Sequence, residues 1–486
     1  MTKTKRLIDS KFIKLIQLLN KEEIKSFQKF LKSPYFNKKE HLAKLFDLLS
    51  NAHPKFDSPR FNKTTILKKM FSDTAPTFEN KLAKQMTELV QLFDEFLKHQ
   101  IVKEDQTVSH SLLAKALAQK ANFELFASKA KAYQDILNEH PVRDSKFYLA
   151  QFSVSRDLYL QSLQTSFDGE KNYLLQSKKH LDRFYYLTKL VLICGLFARN
   201  KLLKDQSDLS SMNETIQHVK NHYADDSPVF SIYIQLIELY QYEIDDELYE
   251  SIVDSFRNHI DLFSVEQQSN ILYQLTNYAA GRIKANQKQF HLTLIKLYQL
   301  GLKKNIFLNG AYLPEQTFLN IAVCFSIAKR FDLVEQMIDY ELEKLPPDSQ
   351  DSAKILILAF SEFHKGNFSK ALILVKSCTA NSLPYLLRIR LLTIRCLYEL
   401  RLTNHSYEDT LISYIRSYES FFKRANTFKS EIAEDYLNFS EALRAILFRN
   451  PLWPLDKTKA TLNQKITTYD SIVARSWLFD KVSLLK

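Results

Sequence analysis

Phe318-Leu-Asn-Ile-Ala-Val-Cys-Phe-Ser-Ile-Ala-Lys-Arg-Phe331-Asp-Leu-Val-Glu-Gln-Met-Ile338 is followed, about 37 residues on, by Ile355-Leu-Ile-Leu-Ala-Phe-Ser-Glu-Phe-His-Lys-Gly-Asn-Phe368-Ser-Lys-Ala-Leu-Ile-Leu-Val375. The two stretches superimpose. Each has an apolar helical segment, a short polar turn, an aromatic (Phe331, Phe368) and a second amphipathic segment. Two helices that touch need a small residue at the contact, and Ala322 and Ala359 hold the matching place in the first segment. Ala371 does so in the second segment of the later copy, where the earlier copy has Val334. Gly366-Asn367 is the expected reversal of the chain, and Pro346 the expected end of a second helix, because proline has no N–H to continue the ladder.

A third, looser copy follows. Residues 386–400 form its first helix, Tyr407 takes the aromatic position, and residues 407–423 form its second helix. The pattern resembles the tetratricopeptide repeat, whose period is close to 34 residues and whose relatives run slightly longer. The resemblance implies an all-α, right-handed α-solenoid of antiparallel helical hairpins, a fold that builds binding surfaces. An antiparallel helical bundle with chance similarity between the two stretches is the plainer alternative.

Composition agrees with helices. The chain of 486 residues is long for one compact core, so several domains or an elongated stack are expected. It holds only 6 glycines and 12 prolines, too few for the turns and phosphate loops of a doubly wound enzyme. Cys194, Cys324, Cys378 and Cys396 lie far apart in apolar helical stretches without CxxC spacing, which predicts buried reduced thiols and a cytoplasmic setting. The first residues are charged and lack an apolar core, so no secretory signal is read there. The longest apolar run, residues 185–198, is interrupted by Lys189 and too short to span a bilayer. No membrane partner is expected.

The net charge of +12 is unevenly spread. Residues 1–100 carry 20 Lys and Arg against 11 Asp and Glu, whereas residues 205–270 carry 14 Asp and Glu against Lys220 and Arg257. A high pI alone hints at nucleic acid, but an acidic block of that size repels phosphate.

Toward the N-terminus, residues 7–19 read as a first helix. Asn20-Lys-Glu-Glu23 has capping-box spacing for a second, which Ser33-Pro34 stops. Asn37-Lys-Lys-Glu40 repeats that spacing, and Tyr35 and Phe36 are expected to pack inward in the turn between. This corner, Glu23-Ile-Lys-Ser-Phe27-Gln-Lys-Phe30-Leu31-Lys-Ser33-Pro34-Tyr35-Phe36-Asn37, together with the closing Trp477-Leu478-Phe-Asp-Lys481, resembles a family of uncharacterised bacterial helical-repeat proteins. That resemblance spans nearly the whole chain and implies the fold, but no activity, cofactor or catalytic residue.

Pro54 and Pro59 mark a loop, and Asn62 is expected to cap a short helix over residues 63–71. A long helix follows over residues 77–102. Its Phe78, Leu82, Met86, Leu89, Phe93 and Phe96 form a seam that either docks on the preceding helices or pairs with another chain. Ala121-Asn122-Phe123 echoes the Gly366-Asn367-Phe368 turn and suggests an outlying copy of the repeat. Helices are then expected over residues 145–163, 170–184, 185–203, 212–223, 229–244, 246–263, 265–285 and 289–302. The organisation predicted is a basic helical region over 1–105, a hairpin solenoid over 106–450 with its clearest repeats at 318–425, and capping helices over 451–486.

Phosphate loops, nucleophile elbows and zinc-protease helices are missing from the sequence. His218 and His222 stand one helical turn apart near Asp225 and Asp226, a spacing that fits two metal ligands or a solvated face. Glu238, Glu243, Asp245, Asp246, Glu247 and Glu250 are read as solvated charge rather than a general acid–base pair. No metal, cofactor or catalytic residue is therefore predicted.

Two binding candidates remain. Arg388, Leu392, Arg395 and Glu399 share a helix face, with Arg390 beside them. Arg388 and Arg395, with His364 on the neighbouring groove face, are candidates to clamp a carboxylate or an acidic peptide. The plainer reading pairs Arg395 with Glu399 on the outside of the helix. The alternative partner is nucleic acid, contacted by Lys38, Lys39, Lys68 and Lys69, with Lys5, Arg6, Lys11 and Lys14 near them in sequence. The function expected is thus a non-catalytic cytoplasmic scaffold or adaptor for a protein or peptide. A nucleic-acid-associated regulator is the second reading.

Overall fold

Few glycines and strong helical periodicity produce what they should: 23 α-helices and no strand among the described residues. The computed structural model describes residues 7–54, 56, 61–71, 75–120, 123–164, 169–203, 210–241, 245–379, 382–424 and 430–485. Lys5, Arg6, Pro59, Ala121, Asn122 and Glu243 lie outside them. Among the described residues no helix is long and apolar enough to cross a membrane. The chain forms two compact units, 1–141 with 146–184, and 142–145 with 185–486.

The first unit contains α1 (Lys11–Ile16), α2 (Lys21–Lys32), α3 (Glu40–Ser50), α4 (Lys63–Phe71), α5 (Pro76–Glu104), α6 (Gln106–Gln119), α7 (Phe123–Glu139), α8 (Ser145–Ser162, from Lys146 on) and α9 (Lys171–Leu203, up to Phe184). The helix expected over 7–19 is interrupted. Ser10 leaves the helical conformation and accepts the Ile13 N–H, so a 3-10 turn (Leu7–Asp9) precedes α1. The capping box at Asn20 is complete. Its Oδ1 accepts the Glu22 and Glu23 N–H groups at 2.8 and 2.9 Å, and Glu23 Oε2 accepts the Asn20 N–H at 2.7 Å.

Asn37 does something else. It does not cap α3, whose N-cap is Lys39 without a side-chain bond. Its amide donates to the Leu31 carbonyl at 2.9 Å and to the Lys39 carbonyl at 3.1 Å, while its oxygen accepts the Lys39 N–H at 2.9 Å. A buried Asn37 thus ties the end of α2 to the start of α3. Asn37→Ala strands those groups and is expected to cost about 1–3 kcal/mol, read as a lower denaturant midpoint. Of the two neighbouring aromatics only Phe36 packs inward, stacked on Phe30 at 4.2 Å. Tyr35 is 85% exposed, contrary to the expectation, because it sits at the tip of the turn that the Phe36 and Asn37 N–H groups close on the Ser33 carbonyl.

The α5 seam docks within the unit. Leu82, Met86, Leu89, Phe93 and Phe96 are buried against Phe12, Ile13, Phe27, Leu31, Leu42 and Phe46. A smaller core joins Ala114 of α6 with Phe126, Ala130 and Tyr133 of α7 and Val154 and Leu158 of α8.

Residues 170–184 and 185–203 do not form two helices; α9 is continuous for 33 residues. The junction Phe184-Tyr185 has neither proline nor glycine, so nothing removes a hydrogen bond from the ladder.

In the second unit follow α10 (Asn213–Tyr223), α11 (Pro228–Gln241), α12 (Asp246–Asn258), α13 (Val265–Lys284), α14 (Phe290–Lys303), α15 (Glu315–Ile327), α16 (Phe331–Gln336), α17 (Gln350–His364), α18 (Phe368–Ser377), α19 (Leu383–Arg401), α20 (Glu408–Arg424), α21 (Ser430–Leu447), α22 (Leu455–Thr468) and α23 (Arg475–Ser483). Successive helices pack on one another, and α15 also packs on α17 and α17 on α19.

The two stretches that match in sequence match in backbone. After α15, Ala328, Lys329 and Arg330 donate to Cys324, Ser326 and Phe325; after α17, Lys365, Gly366 and Asn367 donate to Ser361, Phe363 and Glu362. Both turns need a left-handed residue. Gly366 has φ +87°, and the equivalent Lys329 adopts φ +57° without glycine's freedom. Asn286 after α13 and Asn305 after α14 close their helices with the same bonds and with positive φ. Ala322, Ala359 and Ala371 are fully buried, as contacts between helices require. The second helix of the first copy is shorter than expected. α16 passes into a π turn (Met337–Glu341) and a 3-10 turn (Leu342–Lys344) before Pro346.

Candidate functional site

The residues of α19 explain most of the site. From Leu392 to Leu400 every side chain is buried, so the second half of this helix has no solvated face. Glu399 therefore needs partners. Trp477 Nε1 donates to its Oε1 at 2.8 Å, and Lys481 Nζ lies 2.6 Å from the same oxygen. These two residues sit one turn apart on α23, which accounts for the Trp-x-x-x-Lys spacing at the end of the sequence. Trp477 also packs edge-on against Tyr398, with ring centroids 5.2 Å apart.

Arg395 does not pair with Glu399. It is buried, its guanidinium 4.4 Å from the Phe363 ring and 5.4 Å from the Trp477 ring. Burial pulls its pKa down to about 10, which leaves it charged at neutral pH. His364, the last residue of α17, is brought into electrostatic range of Arg395 and Lys329. Burial, then those two cations, lower its pKa to about 3.

That shift has a measurable sign. The unfolded imidazole takes a proton near pH 6.5 and the folded one does not until about pH 3, so stability falls as pH drops through that window. In His364→Gln the slope of stability against pH between about 6 and 4 is expected to be smaller by about one proton, which urea titrations at several pH values check.

Arg388 lies elsewhere on α19. Its Nη2 donates to Asn320 Oδ1 at 2.6 Å, and its Nη1 to Gln316 Oε1 at 3.2 Å and to the Pro384 carbonyl at 3.1 Å. Gln316 and Asn320 belong to α15 and are exposed. The arginine thus bridges the first helices of the first and third copies. Arg390 points away, its guanidinium 3.9 Å from the Phe421 ring. Of the predicted clamp, the structure gathers Arg395 with His364 in a covered place and leaves Arg388 half-buried elsewhere on the helix, where burial lowers its pKa. Sequence reasoning missed Trp477 as a neighbour of Arg395 and Trp477 and Lys481 as partners of Glu399, since these contacts span about 80 residues.

In the first unit Lys38 and Lys39 are exposed and line a shallow cleft of about 270 Å³ with Glu88 and Glu95. Lys39 is paired with Glu88 at 2.8 Å, which weakens that edge as a phosphate contact. Lys68 and Lys69 are exposed in the last turn of α4, and Lys11 and Lys14 are exposed on α1.

The other constellations are used locally. His218 and His222 stack on each other at 4.5 Å, and the Tyr186 ring lies tilted against His218 at 4.8 Å. No group of three or more His, Cys, Asp or Glu among the described residues is placed to hold a metal ion. Asp245 caps α12, Asp246 pairs with Arg282 at 3.1 Å, Glu238 with Lys220 at 2.5 Å, and Glu250 accepts from Thr293 at 2.8 Å. All four cysteines are free thiols. Burial pushes the thiols of Cys194, Cys324 and Cys396 up to about 12.

No protein-family model, curated protein or solved structure matches the chain.

Proposed function

We propose that the protein is a non-catalytic scaffold or adaptor. In this reading the second unit is a right-handed solenoid of tetratricopeptide-like antiparallel hairpins, and a protein or peptide partner lies across its first helices α15, α17 and α19. The observation that supports it is Arg388. Two amides of α15 and a carbonyl fix its guanidinium, and those acceptors are neutral, so the charge has no carboxylate partner among the described residues. A cation held in place without a counter-charge suits recognition of an acidic side chain on a partner. The free thiols favour a reducing cytoplasm as the place of action.

The test is affinity capture of the tagged protein from its native lysate, with and without nuclease, beside an Arg388→Glu variant. A discrete protein that survives nuclease and is lost with Arg388→Glu supports the scaffold. If everything captured disappears with nuclease, the reading fails. Lys68 and Lys69 then become the residues to map, with a steep fall of affinity in salt as the expected signature.

A further inference from the structure

Arg395 carries a charge that the fold does not neutralise. Its guanidinium carbon lies 4.4 Å from the centre of the Phe363 ring and 5.4 Å from that of Trp477. Its edges carry the five N–H donors. Among the described residues these donors reach no acceptor within hydrogen-bond distance, and Nε is wholly shut off from solvent. His364 Nε2, beside it, is likewise buried without a partner. Lys329, within electrostatic range of His364, forms no ion pair with a described residue.

The carboxylates within electrostatic range of Arg395 are already engaged. Glu399 is held by Lys481 and Trp477, and Asp480 lies 3.5 Å from Lys288. Burying a charge without a partner is strongly unfavourable, and buried donors are nearly always satisfied by protein, water or a bound ion. Three successive first helices each bring one group to this place: Lys329 just after α15, His364 at the end of α17, and Arg395 in α19.

We propose that Arg395 and His364, assisted by the Lys329 charge, form an anion site for a carboxylate group. The geometry selects that chemistry. The planar fork of a carboxylate matches the N–H edge of a guanidinium with two parallel N–H···O bonds. A phosphate dianion brings more charge and asks for donors on several sides. The site is separate from the Arg388 surface, and the proposal stands whether or not the scaffold reading does.

Trp477 is a built-in reporter. The chain has two tryptophans, so Trp453→Phe leaves only the ring that lies 5.4 Å from the Arg395 guanidinium. In the Trp453→Phe protein, titration with sodium acetate at constant ionic strength, set by sodium chloride, is expected to give a saturable change in emission. Arg395→Met and His364→Gln in the same background are each expected to weaken the response about tenfold or more. His364→Gln keeps a polar side chain of similar reach, and far-UV circular dichroism confirms that each variant is folded.

Two peptides differing only in a terminal carboxylate or amide then separate the sources. Stronger competition by the acid peptide assigns the carboxylate to a protein chain, and equal weakness of both assigns it to a small free acid. A saturable response to inorganic phosphate that exceeds the one to acetate overturns the carboxylate assignment. No saturable response to either anion, or an unchanged response in both variants, overturns the site itself.

Discussion

Trp477→Ala lowers the unfolding free energy of the second unit by about 3–5 kcal/mol, the range for deleting a large buried aromatic. The side chain is 8% exposed and does three jobs at once. It packs on Tyr398 and Phe439, lies against the Arg395 guanidinium, and donates to Glu399. Deleting it opens a cavity and removes one of the two groups that hold the Glu399 carboxylate. Trp453→Ala is the control. Trp453 is 42% exposed, and surface substitutions of that kind stay within about 0.5 kcal/mol. Trp477→Phe divides the effect, keeping most of the packing while losing the N–H. It should fall between the two, at about 1–3 kcal/mol. Urea midpoints of the three variants measure this order. Equal midpoints for Trp477→Ala and Trp453→Ala would show that α23 is not held by its tryptophan.

Phe27→Ala is the matching experiment in the first unit, again at about 3–5 kcal/mol. Phe27 is fully buried, with ring centroids 4.9 Å from Phe46, 5.1 Å from Phe96 and 5.4 Å from Phe93. It joins α2, α3 and α5 in one aromatic cluster, so no single helix can shift to fill the space. Hydrogen exchange is the direct readout. The amides of α2 and α5 should lose protection most, because the α5 seam has no other dock of that size. Leu97→Ala, at an exposed position of α5, should leave the same amides unchanged. Protection that stays at the wild-type level in Phe27→Ala contradicts the seam's role.

Local chemistry was legible in the sequence wherever a few neighbouring residues decide the outcome. The Asn20 box, the Asn62 cap on Thr65, the Gly366 turn and the α5 seam all depend on spacings of two to four residues. Asn37 shows where that reasoning ends. Its spacing to Glu40 is the same as that of Asn20 to Glu23, yet its amide was drawn to the Leu31 carbonyl at the end of the helix before it. A capping pattern names the donors that follow and cannot weigh the acceptors that precede. Tyr35 and Phe36 differ for a similar reason. The direction each ring takes is set by the turn after Ser33, a property of backbone angles and not of residue type.

The candidate site was legible only in its parts. Arg388, Arg395 and His364 were found because charged side chains on an apolar helix face stand out. Their separation into a half-buried arginine bonded to α15 and an arginine packed against Trp477 was not, since the second depends on α23. Lys329 went unnoticed because a lysine in a polar turn is ordinary. Only the left-handed conformation it shares with Gly366 marks the turn, and backbone angle is not written in a lysine.

The bond between Glu399 and Trp477 has a consequence in time. Its ends are 78 residues apart. At a synthesis rate of about 5–20 residues per second, the ribosome adds the tryptophan roughly 4–16 s after the glutamate. For that interval the newly made α19 has its arginine and its carboxylate without the helix that will cover them. The nascent chain thus shows an amphipathic face that the finished protein hides. Whatever attends the chain as it emerges meets that face before α23 covers it, and the arrival of α23 sets how long the encounter lasts.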